Sequence, residues 1–176
     1  MELESTASGF VVAGSETSAT LLTFATWFLL RNPTHLQNLT NEVRAAFESD
    51  SEITMLSVNN LPYALAVLEE TLRLYPPGAG IPPRMTSQDG PGAAVLGKYV
   101  PPGTVLSVSQ YAAFRSLLNF CDPDSFVPER WLGDPLYKGD NTAIFHPFSY
   151  GPRNCIGQKY VCPFTLTPAG TPELFS

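Results

Sequence analysis

The chain has 176 residues, of which 44% are hydrophobic and 15% are charged, and its net charge at pH 7 is −6. This length suffices for one domain with a sizeable core, but so low a charged fraction is unusual for a self-contained soluble domain and indicates an incomplete chain. Lys and Arg form no cluster, which excludes nucleic acid as a partner.

Three helices are predicted before Pro76. Residues 2–31 contain no proline and are apolar almost all round, which predicts a long buried helix. The second helix is predicted over residues 33–48, where apolar side chains recur at helical spacing (Leu36, Leu39, Val43, Phe47). The third is predicted over residues 61–74 and has an apolar stripe of its own (Leu61, Leu65, Leu68, Leu72).

The periodicity changes in the second half of the chain. Residues 93–100 and 104–109 predict strands of a small sheet, joined by a tight turn at residues 101–103. A short helical piece is predicted over residues 111–116. Residues 119–150 are rich in Pro, Asp and Gly but carry several aromatic residues, which predicts a packed meander (Phe120, Phe126, Trp131, Phe145, Phe148).

The cysteine loop (residues 148–157, FSYGPRNCIG) concentrates residues that suit a haem ligand. Gly151 permits a tight turn, and Gly157 lets a flat ligand lie close to the backbone. The residues after Cys155 are able to begin a helix whose amides would stabilise a thiolate. Such a thiolate is a possible axial ligand of haem iron, and Arg153 is placed to pair with a haem propionate.

This loop resembles the haem-thiolate loop of the cytochrome P450 monooxygenases at every defining position (Phe148, Gly151, Arg153, Cys155, Gly157). The resemblance implies that Cys155 is the axial ligand of the iron. Two alternatives stay open. One is a buried structural cysteine. The other is a zinc site, for which His146, Cys155 and Cys162 lack the usual tetrahedral-site spacing.

Residues 13–17 (AGSET) resemble the oxygen-activation stretch of the long helix on the distal haem face in the same family. A threonine hydroxyl can bond to a carbonyl one turn earlier, and Gly14 weakens packing there, so that the helix can hold a water. The resemblance implies that Glu16 and Thr17 relay protons during oxygen activation. The alternative is that this patch of small residues serves close packing alone.

Glu70 and Arg73 stand three residues apart on the third predicted helix and therefore share a face. Such a pair is usually a solvated salt bridge worth less than about 1 kcal/mol. The resemblance implies instead a buried network with Arg130, which would hold the cysteine loop in place. Arg84 matches a strand position where the family often has a second propionate ligand; the alternative is an ordinary surface arginine.

The chain is identified by these motifs as a member of the cytochrome P450 family, with a mainly α fold that includes small β-sheets. The motifs predict a C-terminal P450 part over residues 1–160 and a fragment truncated at both ends. The tail, residues 161–176, is expected to be irregular because proline and glycine interrupt it. The codons of Val161 and Cys162 are compatible with an intron donor, so translated intron is our hypothesis for the tail.

The resemblance implies a haem-thiolate monooxygenase that contains haem b. Such an enzyme takes electrons from NADPH through a reductase, splits O₂ and inserts one oxygen atom into an organic substrate. The alternatives are a non-catalytic product of a truncated or misannotated gene and a small haem-binding sensor.

A reducing, cytoplasmic-side compartment is expected, because the three cysteines form no disulfide framework. Intact relatives are often anchored in the endoplasmic-reticulum membrane. In this chain no signal peptide is recognisable, and the longest apolar stretch, residues 17–30, is shorter than the about 20 residues of a membrane span.

Overall fold

The computed structural model describes residues 2–80 and 83–159, and this part of the chain is mainly helical with two small sheets. The α-helices are α1 (Glu2–Arg31), α2 (Pro33–Ala46), α3 (Pro62–Leu74) and α4 (Gln110–Phe114). The strands are β1 (Arg84–Met85), β2 (Ala93–Val95), β3 (Lys98–Val100) and β4 (Val105–Leu106). This confirms the predicted fold class. The predicted tail lies outside the described residues.

The hydrophobic core forms where the C-terminal half of α1 meets α2 and α3. Leu21, Ala25 and Leu29 repeat every four residues and bury one face of α1. The predicted stripes of α2 and α3 point into the same cluster, together with Phe126 of the meander. The helical periodicity of the sequence therefore identified most of this core.

The N-terminal half of α1 differs from the prediction of a buried helix. Residues 3–17 are exposed, and Phe10, Val11 and Val12 keep 61%, 69% and 60% of their accessible surface. In the described fold α1 packs mainly on α2 and α3, and its buried residues lie in its C-terminal half. The prediction was wrong for this half because an apolar helix needs a neighbour before it can be buried.

The sheets also differ from the predicted pairing. Residues 93–100 fold back on themselves, so that β2 pairs antiparallel with β3 across Leu96 and Gly97. Both turn residues have positive φ (49° and 75°), as a two-residue type I′ turn requires. β4 pairs instead with β1, which places Arg84 opposite Leu106. The predicted turn at residues 101–103 therefore does not join two neighbouring strands of one sheet.

Glu42 of α2 caps the first turn of α3. Its two carboxylate oxygens accept hydrogen bonds from the backbone N–H groups of Tyr63 and Ala64, at 2.8 and 2.9 Å. The Tyr63 hydroxyl donates to Glu129 at 3.0 Å, which ties α3 to the meander. Burial, together with the hydrogen bond and charge of Glu129, raises the pKa of Tyr63 to about 12.

The meander runs from residue 119 to residue 150 over the end of α3, through three short 3₁₀ helices (Pro128–Leu132, Pro135–Tyr137, Thr142–Ile144). Phe120 and Phe126 are buried, and Phe145 and Phe148 pack against the core. These aromatic contacts fix the path of a segment that has little regular structure. The segment that these contacts fix leads directly into the cysteine loop.

Candidate cofactor site

A cavity of about 350 Å³ lies between α1 and the cysteine loop. Most of its lining is apolar side chain or glycine. The lining residues come from α1 (Ala13, Thr17, Leu21), from the cysteine loop and the residue before it (Pro147, Phe148, Ser149, Arg153, Cys155), and from α3, the segment after it and α4 (Leu72, Pro77, Gly78, Gly80, Gln110).

The cysteine loop brings its thiol to this cavity by a tight reversal of the chain. The N–H of Cys155 donates to the carbonyl of Phe148 at 2.9 Å, which closes the loop. Gly151 has φ of +86°, a conformation that glycine adopts without strain, and Ser149 has φ of +65°. Cys155 is a free, exposed thiol, and the chain becomes helical at Gln158. The sulfur is therefore accessible to a ligand in the cavity.

Arg153 supplies a positive charge to the same cavity wall. Its side chain is exposed, and no described acidic side chain forms an ion pair with it. A guanidinium group next to an apolar cavity is suited to a planar ligand that carries carboxylates. The chemistry of this donor set, a thiol and a guanidinium on apolar walls, fits haem b.

The opposite wall is formed by the predicted oxygen-activation stretch. The hydroxyl of Thr17 donates to the carbonyl of Ala13 at 2.6 Å, one turn earlier in α1. A Cβ added at Gly14 would meet nothing within 4 Å, so among the described residues nothing packs closely against this glycine. The reading of this stretch as close packing alone is therefore not supported.

The structure brings some predicted site residues together and leaves others apart. Thr17 of α1 lines the same cavity as the predicted loop residues Phe148, Arg153 and Cys155. The remaining predicted residues do not line it (Gly14, Glu16, Arg84, Gly151, Gly157). Helical spacing from Thr17 would have found Ala13 and Leu21. Gln110 carried no sequence signal, because its place depends on how α4 packs.

Arg84 lies on β1 with its side chain exposed. Its Nη1 approaches the carbonyl of Pro83 at 3.5 Å. Residues 81 and 82, which precede this strand, are outside the described part. The role of Arg84 as a propionate ligand stays a prediction.

Glu70, Arg73 and Arg130 meet in a buried network between α3 and the meander. Glu70 and Arg73 form a bidentate pair, with Nε and Nη2 of the arginine donating at 2.9 and 2.8 Å. Nε of Arg130 donates to the same carboxylate at 3.1 Å. In each of these ion pairs the side chains of both partners are fully buried. The solvated salt bridge that the spacing alone suggested is therefore not what forms.

Further members of this network were missed by the sequence reading. The indole N–H of Trp131 donates to Glu70 at 3.0 Å, and the backbone N–H of Val127 donates to it at 3.0 Å. Asp140 pairs with Nη1 of Arg130. Arg73 also donates to backbone carbonyls of the meander and its approach (Phe114, Pro123, Ser125). The network thus ties α3 to the segment that leads into the cysteine loop.

The zinc alternative gains no support from the described residues. Within residues 2–80 and 83–159, no group of three or more His, Cys, Asp or Glu side chains is placed to hold a metal ion. Cys162, one member of that alternative, lies outside this part. No described helix is both long enough and apolar enough to span a bilayer.

Comparison with known proteins gives the same family as the motifs. Averantin hydroxylase of Dothistroma septosporum is 51% identical over 159 residues, which are 90% of this chain and 30% of that protein. Cytochrome P450 monooxygenase lcsI of Purpureocillium lilacinum is also 51% identical over 159 residues, with the same two shares. Cytochrome P450 monooxygenase tpeC of Talaromyces stipitatus is 49% identical, over 90% of this chain and 31% of its own length.

The chain thus spans about 30% of the length of these relatives. The sequence model of the cytochrome P450 family matches residues 1–160. The resemblance first carried by the cysteine loop is confirmed, and the chain belongs to the cytochrome P450 family.

Proposed function

We propose that the chain forms the haem-thiolate part of a monooxygenase that inserts one oxygen atom from O₂ into an organic substrate. The observation that carries this proposal is the cavity lined by Cys155 on one side and by Thr17 on the other. The relatives named as monooxygenases support the general reaction class. The chain spans about 30% of the length of these relatives, so the activity of the whole protein is part of the proposal.

Cys155 would hold the haem iron as its axial thiolate. Two observations support this role: Cys155 lines the cavity, and its backbone N–H is held by the carbonyl of Phe148 at 2.9 Å. Arg153 would pair with a propionate. Haem b, when bound, supplies the oxygen-activation chemistry, which a thiolate ligand favours by donating electron density.

Thr17 would move a proton at its Oγ1 atom. The Thr17 hydroxyl donates its hydrogen to the carbonyl of Ala13. Its oxygen lone pairs are therefore free to accept a hydrogen bond from a proton donor in the cavity. When the hydroxyl rotates, it would give its proton to an acceptor in the cavity, and Oγ1 would take up a replacement proton from the donor side. Glu16, the preceding residue in the same exposed turn of α1, would supply protons from solvent.

Electrons would come from NADPH through a reductase partner, and the substrate would be a small organic molecule. A thiolate ligand must stay reduced, which supports a reducing, cytoplasmic-side compartment. Cys121 and Cys155, both free thiols, are consistent with such a compartment.

A second candidate function is supported by the exposed half of α1. Phe10, Val11 and Val12 lie bare on a helix whose residues 3–17 are all exposed, and such apolar surface on a lone chain favours aggregation. The chain by itself would then be non-catalytic. In that case it would neither retain haem nor turn over.

The test is the absorption spectrum of the purified chain with haem, reduced under carbon monoxide. We expect the red-shifted Soret band of a thiolate complex in the wild type and in Cys121→Ser, which changes an exposed thiol that does not line the cavity. Cys155→Ser should lose this band. If the wild type takes up no haem, the non-catalytic alternative holds. If the band survives in Cys155→Ser, the assignment of the ligand is wrong.

A third outcome separates the sensor from the enzyme. The wild type is combined with a reductase and NADPH, and oxygen consumption is measured together with product formation. Stable thiolate-bound haem without oxygen consumption or product formation would favour the haem-binding sensor. Thr17→Val, which keeps the side chain's size but removes the hydroxyl, should leave the carbon monoxide spectrum intact and lower the yield of product per NADPH consumed.

A further inference from the structure

We infer that Gln110 is a positioning residue for the cysteine loop, an inference that rests on the proposed haem site. Gln110 is the first residue of α4, is 4% exposed and lines the cavity. Its side-chain amide, Nε2, donates to the backbone carbonyl of His146 at 2.5 Å. This bond joins α4 to the turn from which the cysteine loop starts.

The carbonyl of His146 is the point where that turn is held. It also accepts the backbone N–H of Ser149, at 2.9 Å, which closes the turn over residues 146–149. Ser149 has φ of +65°, a conformation that residues other than glycine adopt only when their surroundings impose it. The turn therefore depends on contacts with residues outside it. The hydrogen bond from the Gln110 amide to the carbonyl of His146 is one of these contacts.

The same turn sets the position of Cys155. The carbonyl of Phe148, inside the turn, accepts the N–H of Cys155 at 2.9 Å. A rotation of the peptide units between residues 146 and 149 would therefore move the acceptor that anchors Cys155. Through these two hydrogen-bonded steps Gln110 controls where the sulfur lies without touching it.

Gln110 is itself held firmly enough to serve as an anchor. The side chain of Ser109 caps α4 by accepting the N–H of Ala112 at 3.3 Å. Ser109 forms an antiparallel bridge with Gly80, and the N–H of Tyr111 donates to the carbonyl of Ala79 at 3.2 Å. The start of α4 is thus tied on both sides of Gln110 to the segment that forms the third wall of the cavity.

The chemistry of the site calls for a neutral donor. A carboxylate at position 110 would place an acceptor against the His146 carbonyl, and an apolar residue would leave that carbonyl with one partner fewer. Gln110→Met removes the donor while it keeps the length and most of the volume. Gln88→Met makes the same chemical change at an exposed position and is the matched control.

The first readout is amide hydrogen exchange in the chain without haem. In Gln110→Met we expect the amides of Ser149 and Cys155 to exchange about two- to tenfold faster, because one hydrogen bond of the turn is lost. The amides of α2 should be unchanged, and Gln88→Met should match the wild type throughout. Unchanged exchange at Ser149 and Cys155 would overturn the inference.

The second readout is the carbon monoxide spectrum of the haem-loaded chain. Gln110→Met should show a smaller fraction of the thiolate-type Soret band than the wild type and Gln88→Met. A wild type without that band would refute the proposed function, whereas the exchange data would still decide the role of Gln110. If the wild type shows the thiolate-type Soret band and Gln110→Met shows it to the same extent, only the positioning role is refuted.

A variant that fails to fold would show faster exchange in α2 as well. If Gln110→Met fails to fold, Gln110→Asn is used in its place. The shorter asparagine side chain remains polar but cannot span the distance to His146. The same local acceleration at Ser149 and Cys155 is expected. Its absence in a variant with native α2 protection would count against the inference.

Discussion

Replacing Glu70 by glutamine removes one negative charge from the buried side of α3 while it keeps the size of the side chain. The carboxylate accepts five hydrogen bonds, from Arg73 (two), Arg130, Trp131 and Val127. A glutamine would turn an NH₂ group toward at least two of these donors. The two arginines would stay buried with no carboxylate shared between them.

The magnitude follows from this geometry. Removing one partner of a buried ion pair costs about 3–5 kcal/mol, because the remaining charge is left without compensation. A domain is stable by only about 5–15 kcal/mol. We therefore expect Glu70→Gln to lose a large part of the free energy of unfolding, together with the ordered meander.

The assay is urea unfolding followed by tryptophan fluorescence. One of the tryptophans, Trp131, is hydrogen-bonded to Glu70 directly. The adjacent Glu69 is the matched control. Burial raises the pKa of its carboxyl, so the folded protein holds that proton more tightly than the unfolded chain does. Its contribution to stability is present at low pH and is lost as the pH rises through the folded pKa.

Glu69→Gln should therefore be at least as stable as the wild type at neutral pH. Unfolding of Glu70→Gln and Glu69→Gln at the same urea concentration would contradict a stabilising role of the Glu70 network. Equal midpoints would mean that the buried network contributes no more than a partly exposed carboxyl does.

Three further predictions concern other parts of the fold. Tyr63, whose pKa is raised to about 12, should add a titration step above the usual tyrosine value of about 10 in an ultraviolet titration. The free energy of unfolding should fall as the pH rises from about 10 through about 12, and Tyr63→Phe should lose both the step and that fall. Leu96 is 97% exposed at φ of 49°, so Leu96→Asn should stabilise the β2–β3 hairpin by about 1 kcal/mol; slower amide exchange in that hairpin would show it, and equal or faster exchange would contradict it. Light scattering should detect less self-association when the exposed apolar residues of α1 are replaced by serine (Phe10, Val11, Val12); an unchanged particle size would count against this face as the cause.

The helices and the motifs were predictable because they rest on short-range pattern. The spacing of Leu39 and Val43, and of Leu68 and Leu72, reflects the helical repeat, and these residues are buried. The cysteine loop is likewise a local arrangement of glycine, arginine and cysteine. The pairing of residues 93–100 was not predictable in this way, because a leucine at positive φ gives no turn signal.

The amino-acid sequence alone determined the family, which cysteine is the candidate ligand, and the helical segments, since each is encoded within a few neighbouring residues. Tertiary structure alone decided which distant groups meet. It brought Asp140 to Arg130 and the amide of Gln110 to the carbonyl of His146, contacts that depend on how the meander and α4 pack. It also left the N-terminal half of α1 exposed. An apolar helix face is buried only when a second element packs on it, and the hydrophobicity of the helix alone does not provide that element.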